Sequence, residues 1–476
     1  MECFFRNFTR DKPKSLYKYY LSLCVVCGLL ASPSVKAQEA ASEVPVIKIN
    51  IADGKIVSDK KNYLKASFEI EGKGLYKDFS DSVEIRGWGN STWTTPSPYD
   101  PNPKNPYKLK FKKKQSPFGL TKGKKWVLLA NSKVGSLLTN AIAMKVAQVA
   151  GAEAANHIIP VDLYINGDYR GNYNFTEQVG VSANSIKLDN EDKATLVELD
   201  TYYDEPYKFK DPTYGLPANI KFPDFDEDAP AITMADIESR FGQITSAVVD
   251  GGKLSDILDL DALARYMLVN QLVCNQEILH PKSTYLYNAD VTDPASKWKF
   301  GPVWDFDWAY GYDVDHNFAT VDSGYDYWHP TKTFESTKFW NTLLESEEVK
   351  RAYYKVWMEF MNGGLQQVLD YCDSYYQWTA ASLSNNQEKW NDRTDYAKQS
   401  SRIRQWLKDR AEAIYNSLEK FDDVTGIRSP DKGNALAVDV VDLSGRVVKR
   451  HANMKHWSDG LQAGVYIAGG KRVTVK

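Results

Sequence analysis

The hydrophobic period of this chain changes once, and that change constrains its fold more than any other feature. Up to about residue 205, apolar residues mostly alternate with polar ones, the pattern of half-buried strands. "VIKINI" and "LKASFEIE" alternate on either side of the turn "ADGK", "DSVEIRGWGNSTW" is a strand running into a Gly/Asn/Ser loop, and "KKWVLLAN" is a buried strand. In "NPYKLKFKK", Tyr107, Leu109 and Phe111 face one way and Lys108 and Lys110 the other. One helix interrupts the series: "SLLTNAIAMKVAQVAG" spaces Leu137, Ile142 and Val146 helically, and Gly151 stops it. "IPVDLYINGDYRGNYNFTEQV" is a hairpin with "NGD" as its turn, and "TLVELD" is a further short strand.

From about residue 230 the spacing becomes helical. "MADIESRFGQITSAV", "DLDALARYMLVNQLVCNQEI" and the long amphipathic run between about 338 and 421 carry it. Between them, "STYLYN" and "KWKFGPVWDFD" predict a second hairpin across the turn-rich "ADVTDPASK". A polar Gly/Pro linker follows at 422–434, and short strands with the turn "LSG" fill 435–476. Those last strands are expected to form a small β-module; the alternative is a set of edge strands packed on the main body. The expected class is therefore α+β, with a β-rich lobe over about 44–205, a helical lobe over about 230–421 and a small C-terminal all-β module.

Charged residues make up 25% of the 476 and hydrophobic ones 43%, which is a globular balance with length for more than one domain. A net charge of −3 provides no global field for nucleic acid or anionic lipid, so no nucleic-acid partner is expected. At the N-terminus, Arg6, Arg10, Lys12, Lys14 and Lys18 precede the short apolar run "YYLSLCVVCGLLAS", and Val35 and Ala37 precede Gln38. That is the anatomy of a cleaved signal peptide over residues 1–37, leaving no transmembrane anchor; an uncleaved N-terminal anchor is the alternative. Three of the five cysteines leave with it, so Cys274 and Cys372 allow at most one disulfide. No Cys/His cluster has zinc spacing.

The chemistry concentrates in "FGPVWDFDWAYGYDVD". Alternation on a strand end would put Asp305 and Asp307 on one face, with Trp304, Phe306 and Trp308 on the other. Two adjacent carboxylates cost energy unless a cation or donors join them. A hard divalent ion is one answer; backbone N–H groups with Arg or Lys are the other. Upstream, "NQEILHPKS" holds Asn275, Glu277, His280 and Lys282 in a loop between helix and strand. Glu277 could orient or deprotonate a hydroxyl, and Asn275 could offer a metal oxygen, or it could simply cap the helix. Lys108 and Lys110 could neutralise phosphates or stand solvated, and "RGWGNS" sets Arg86, Gly87 and Gly89 in a loop whose N–H groups could approach phosphate. A strand lobe with a Gly loop and a lysine, followed by a helical lobe with a polar loop and a strand ending in Asp, is the order of parts in a protein kinase.

In that order, "RGWGNSTW", "KNPYKLKF", "KKWVLLANS", "VDLYINGDYRGNYNFTEQV", "NQEILHPKSTYLYN" and "KFGPVWDFDWAYG" resemble the CotH family, atypical kinases named after a spore-coat protein. The resemblance covers residues 44–312 and extends through the helices to 421. It implies a reduced two-lobed kinase-like fold and phosphoryl transfer from ATP, with Mg²⁺ or Mn²⁺, to Ser or Thr of a protein. It implies Asp305 as the metal-binding Asp with Asp307 in support, Glu277 at the catalytic-loop carboxylate, and Lys108 or Lys110 with Arg86 at the phosphates. Glu177, in "NFTEQV", becomes the candidate acidic partner of one lysine. The sequence departs from the family pattern where Asp is common at the position of Glu277, and where an Asp and an Arg often stand at the positions of Val134 and Thr139.

The C-terminal "VVDLSGRVVKR" and "GLQAGVYIAGGKRVTVK" resemble the sorting domain of the type IX secretion system of Bacteroidota. With the leader, that implies a secreted, outer-membrane-surface or periplasmic protein whose phosphoacceptor is itself secreted or at the surface. The rival reading is a kinase-like scaffold that binds a surface polymer or a protein partner without catalysis, which the departures at Glu277, Val134 and Thr139 favour. A glycoside hydrolase with two acids lacks any further supporting constellation.

Overall fold

The computed structural model describes residues 41–132, 136–227, 229–279, 281–311, 335–421, 437–442, 445–453, 457–468 and 471–475. The expected leader at 1–37, the linker at 422–434, Val134 and His280 lie outside the described residues.

The alternating segments close on themselves. Strands β1 (Val46–Ile51), β2 (Leu64–Glu71), β3 (Phe79–Gly87), β4 (Tyr107–Gln115), β5 (Gly123–Leu129), β6 (Ile159–Ile165) and β7 (Asp168–Glu177) form a seven-stranded barrel in the order β1-β2-β3-β4-β5-β7-β6. The parallel pairing of β1 with β6 completes the ring. Every second residue points inward, so Ile47, Phe68, Ile85, Leu109, Trp126 and Phe175 share one apolar interior. Phe68 meets Phe111 edge-on at 5.3 Å, and Trp126 stacks on Phe175 at 5.1 Å. The β6–β7 turn uses left-handed Asn166 and Gly167, as "NGD" predicts.

The expected lobe boundary near residue 205 is not where the sheets divide. Strand β8 (Thr195–Leu199, in "TLVELD") leaves the barrel and joins β9 (Lys208–Lys210), β10 (Pro217–Phe222), β11 (Thr284–Asn288) and β12 (Lys299–Phe300) in the order β12-β11-β8-β10-β9. Glu198 of β8 pairs with Asn219 on one side and Tyr285 on the other. The period showed that this segment is a strand; its partners come from residues far along the chain.

Helix α1 (Ser136–Ala150) lies between β5 and β6 in sequence. Further on come α2 (Met234–Asp250), α3 (Leu260–Val273), α4 (Glu335–Glu345), α5 (Glu347–Glu359), α6 (Leu365–Trp390) and α7 (Tyr396–Ser417). Helix α2 starts in a capping box, Thr233 with Asp236, and stops at left-handed Gly251. Helix α3 is buried on nearly every side, because α1, α5 and α7 surround it. Against β7, helix α6 makes a polar seam. Asn172 Nδ2 donates to Ser382 Oγ at 2.8 Å, Asn174 Nδ2 to Tyr375 Oη at 3.0 Å, and Trp390 Nε1 to the Arg170 carbonyl at 3.0 Å.

The C-terminal strands β13 (Ala437–Asp442), β14 (Val447–Asn453), β15 (Gly464–Ala468) and β16 (Lys471–Val475) form the expected small sheet, in the order β14-β13-β15-β16. It is not a free-standing module. Val441 and Ile467 enter the main hydrophobic core, and Lys145 Nζ of α1, buried, donates to the Gly445 carbonyl at 2.9 Å. Burial lowers the Lys145 pKa to about 8, against the opposing charges of Asp442 and Asp439. Cys274 and Cys372 are buried thiols, not joined in a disulfide. Among the described residues, no helix is long and apolar enough to cross a membrane.

Candidate active site

A cavity of about 670 Å³ opens between the end of β3, the central strands of the second sheet and two loops. Lys60, Arg86, Trp88 and Gly89 line one side; Glu198, Asp200 and Lys221 line another; Glu277, Lys282, Ser283, Asp305 and Asp307 meet at the third.

The acid loop is not the strand end that alternation suggested. Strand β12 stops at Phe300, and Asp305 sits in the left-handed region at φ 64°. The two carboxylates nevertheless share the cavity, brought there by a turn in irregular backbone. Only Phe306 goes to the core; Trp304 and Trp308 line the cavity beside the acids. Ser283 Oγ lies 3.4 Å from Asp305 Oδ2, and Asn140 Nδ2 of α1 donates to Asp307 Oδ1 at 2.8 Å. Burial, then the charges of Glu277 and Asp307, hold the Asp305 carboxyl well above the usual range.

Glu277 opens a short 3₁₀ turn that ends at Leu279, and its Oε2 is buried without a hydrogen-bond partner. Burial raises its pKa; Lys282 opposes, and Asp307 and Asp200 add to the rise. Asn275, expected to offer a metal oxygen, does not line the cavity. It is fully buried, its Nδ2 donates to Asn270 Oδ1 at 3.1 Å, and its Oδ1 accepts the Glu277 N–H at 3.1 Å. Asn275 therefore braces the loop that presents Glu277.

On the basic side, Arg86 donates to the Lys60 carbonyl, lies 5.1 Å over the Tyr63 ring, and leaves a buried Nε without a partner. Lys108 pairs in register with Arg86 and Lys110 with Glu84. Neither lysine lines the cavity; they stand over the rings of Trp88 at 5.2 Å and Tyr63 at 5.7 Å. Burial, then the neighbouring charges of Arg86, Lys125, Lys221 and Lys110, push Lys108 down to about 7. The glycine loop also differs from expectation. The N–H groups of Gly87 and Trp88 are taken by the Asp59 and Pro106 carbonyls at 2.9 and 3.1 Å. What requires glycine at 87 is close packing, since a Cβ there would run into the Trp93 ring.

Glu177 meets no lysine. Its carboxylate accepts the His157 N–H at 2.9 Å and contacts His157 Nδ1 at 2.7 Å, outside the cavity. Lys221, which lines the cavity, is ion-paired there, 3.1 Å from Glu198 and also paired with Glu205. Sequence reasoning missed Glu198, Asp200 and Lys221. The first two stand two apart in "TLVELD", the same alternation that singled out Asp305 and Asp307. Burial first, then Glu198 and Asp204, lift Asp200 to about 6.

Carboxylates crowded against one another, with one oxygen orphaned, suit a hard divalent cation. Among the described residues, no three His, Cys, Asp or Glu side chains already stand at the spacing of a complete metal cage. A Mg²⁺-like ion needs none, because it takes one or two carboxylates and completes its shell with phosphate oxygens and water.

Residues 83–414, more than two thirds of the chain, match the family model described as CotH kinase protein. No curated protein matches the chain. The matched span contains the cavity's acid loop, the Glu277 loop and Arg86 at the end of β3, and the chain belongs to the CotH kinase family.

Proposed function

We propose that this cavity binds ATP with Mg²⁺ or Mn²⁺ and transfers the γ-phosphate to Ser or Thr of a protein. The observation that carries the reading is the juxtaposition of two sets of like charges in one cavity. Asp305, Asp307 and Glu277 repel one another on one side, and Arg86 with Lys60 forms a cationic face on the other, with Lys108 just outside the lining. A cation relieves the first set and a polyphosphate the second. The family supports a kinase-like enzyme using ATP and a divalent metal in general; the two-lobed kinase-like arrangement is part of the same proposal.

When bound, the cation supplies charge neutralisation at the transferring phosphoryl group. In this reading Asp305 and Asp307 hold it. Arg86 and Lys60, with Lys221, receive phosphate oxygens. Glu277 orients the acceptor hydroxyl and takes its proton; its raised pKa makes it a stronger base than an exposed carboxylate while Lys282 keeps it ionisable.

We also infer export. The basic and apolar N-terminal segment and the type IX-like C-terminal strands support a secreted or surface location and a phosphoacceptor found there. The test of function is transfer of labelled γ-phosphate to the protein itself and to Ser-rich acceptors, with each metal. Transfer that requires Asp305 supports the enzyme. No transfer with any acceptor, alongside a metal-independent or absent thermal shift with ATP, would favour the binding scaffold that Glu277 and Thr139 suggest.

A further inference from the structure

One side chain touches the acid loop from two directions. Asn140 of α1, 5% exposed, bonds it through both its amide oxygen and its amide nitrogen. Its Oδ1 accepts the Phe306 N–H at 3.1 Å; its Nδ2 donates to Asp307 Oδ1 at 2.8 Å and to Asn131 Oδ1 at 3.1 Å. The orientation of the amide follows from its neighbours, since a backbone N–H can only donate and an ionised carboxylate can only accept. Behind it, Asn131 Nδ2 donates to Asn174 Oδ1, and Asn174 Nδ2 to Tyr375 Oη on α6 at 3.0 Å. Tyr310 Oη adds a second tie, donating to the Thr139 carbonyl at 3.2 Å.

The loop needs such a hold. Its backbone is tied at the two ends, where the Gly301 N–H donates to the Tyr285 carbonyl at 2.9 Å and the Trp308 carbonyl accepts from the Gln276 N–H at 3.0 Å; between them it carries a non-glycine residue at φ 64°, and its acids repel each other and Glu277. An apolar side chain on α1 could pack there but could donate nothing to Asp307.

We propose that Asn140 is the positioning residue of the acid loop. It fixes the Phe306 backbone and one Asp307 oxygen so that both carboxylates face the cavity, and Asn131 and Asn174 carry that anchorage to α6. The second readout below, and only that one, rests on the cation reading given above.

The test is hydrogen exchange on the full chain without nucleotide. In Asn140→Ala the segment Val303–Trp308 should exchange at least about tenfold faster, while β11 is unchanged. Asn172→Ala breaks an equally buried amide-to-hydroxyl bond, to Ser382 in the α6 seam, outside the Asn140–Asn131–Asn174 chain, and it should leave the segment protected. Should Asn140→Ala fail to fold, Asn131→Ala, one step back, should loosen the same segment to a lesser degree. In parallel, Mn²⁺ binding followed by water-proton relaxation should weaken about tenfold in Asn140→Ala. Unchanged protection of the segment in Asn140→Ala overturns the proposal, as does equal loosening by Asn172→Ala or unaltered Mn²⁺ affinity. A wild type that binds no Mn²⁺ removes the cation reading, and the exchange result then decides the role of Asn140 alone.

Discussion

Glu177 grips His157 twice, at its backbone N–H (2.9 Å) and at its ring Nδ1 (2.7 Å), and so ties the end of β7 to the segment entering β6. Burial by itself would lower the His157 pKa, but the hydrogen bond and charge of Glu177 outweigh it and raise the pKa. A raised histidine adds stability that is fully present below its unfolded value and is lost as pH rises through the folded one. Glu177→Gln should therefore cost most below about pH 6, roughly 2 kcal/mol, and progressively less toward pH 9. Thermal midpoints of the two proteins across that range check it; a pH-independent gap would mean that the ion pair contributes nothing.

Asp305→Asn should separate stability from binding. Removing one of the mutually repelling acids should raise the thermal midpoint of the ligand-free protein by about 1–2 °C at pH 7. The same change should abolish the further rise produced by ATP with Mg²⁺ or Mn²⁺. A mutant that keeps the wild-type metal-dependent shift removes Asp305 from the site.

Glu277→Gln keeps the size of the side chain and discards its charge. It should retain nucleotide binding and lose transfer by about 10²–10⁴-fold. Glu277→Asp should keep appreciable activity if the loop that Asn275 braces can close the missing methylene. Equal transfer by wild type and Glu277→Gln would leave the enzyme standing without this base.

Lys108, held near 7 by burial and a crowd of cations, should take up a proton when a polyphosphate arrives. At pH 8 the uptake should approach about one proton per nucleotide, and affinity should weaken as pH rises from 6 to 9. Calorimetry in two buffers of different ionisation heat measures the uptake. Lys108→Met should abolish it; uptake that persists in the mutant assigns the proton elsewhere.

Removing the chain from Gly433 onward should leave a folded protein with a midpoint lower by about 3–6 °C, because Val441 and Ile467 no longer fill the core. Lys145 should become reactive to acylating reagents, readable by mass spectrometry. An unchanged midpoint with Lys145 still protected would mean that the sheet does not dock in solution.

Much of this was written in local pattern. The alternation of "NPYKLKF" put Lys108 and Lys110 on the face away from the barrel interior, "NGD" marked its turn, and the paired acids of "WDFDW" pointed to the cavity. What the sequence withheld depends on distance along the chain. The period of "TLVELD" marked a strand but could not say that it would pair with residues 284–288. Nothing near Glu177 indicated that its partner would be a histidine twenty residues earlier. Lys221 needed the fold of β8 against β10 before it could stand beside Glu198. Asp305 and Asp307 converged as expected, but through a left-handed turn that period-two reasoning does not contain.

The amide seam between β7 and α6 also limits how this molecule can move. Apolar surfaces can shear past one another with small losses, whereas Asn172 with Ser382 and Asn174 with Tyr375 fit in one register only. Sliding or rocking the barrel against α6 would strand buried donors and acceptors together. Any closing over the cavity must therefore leave this joint fixed and hinge elsewhere. The exposed turn at Asn90 and Ser91, which lines the mouth outside the barrel strands, lies clear of this joint.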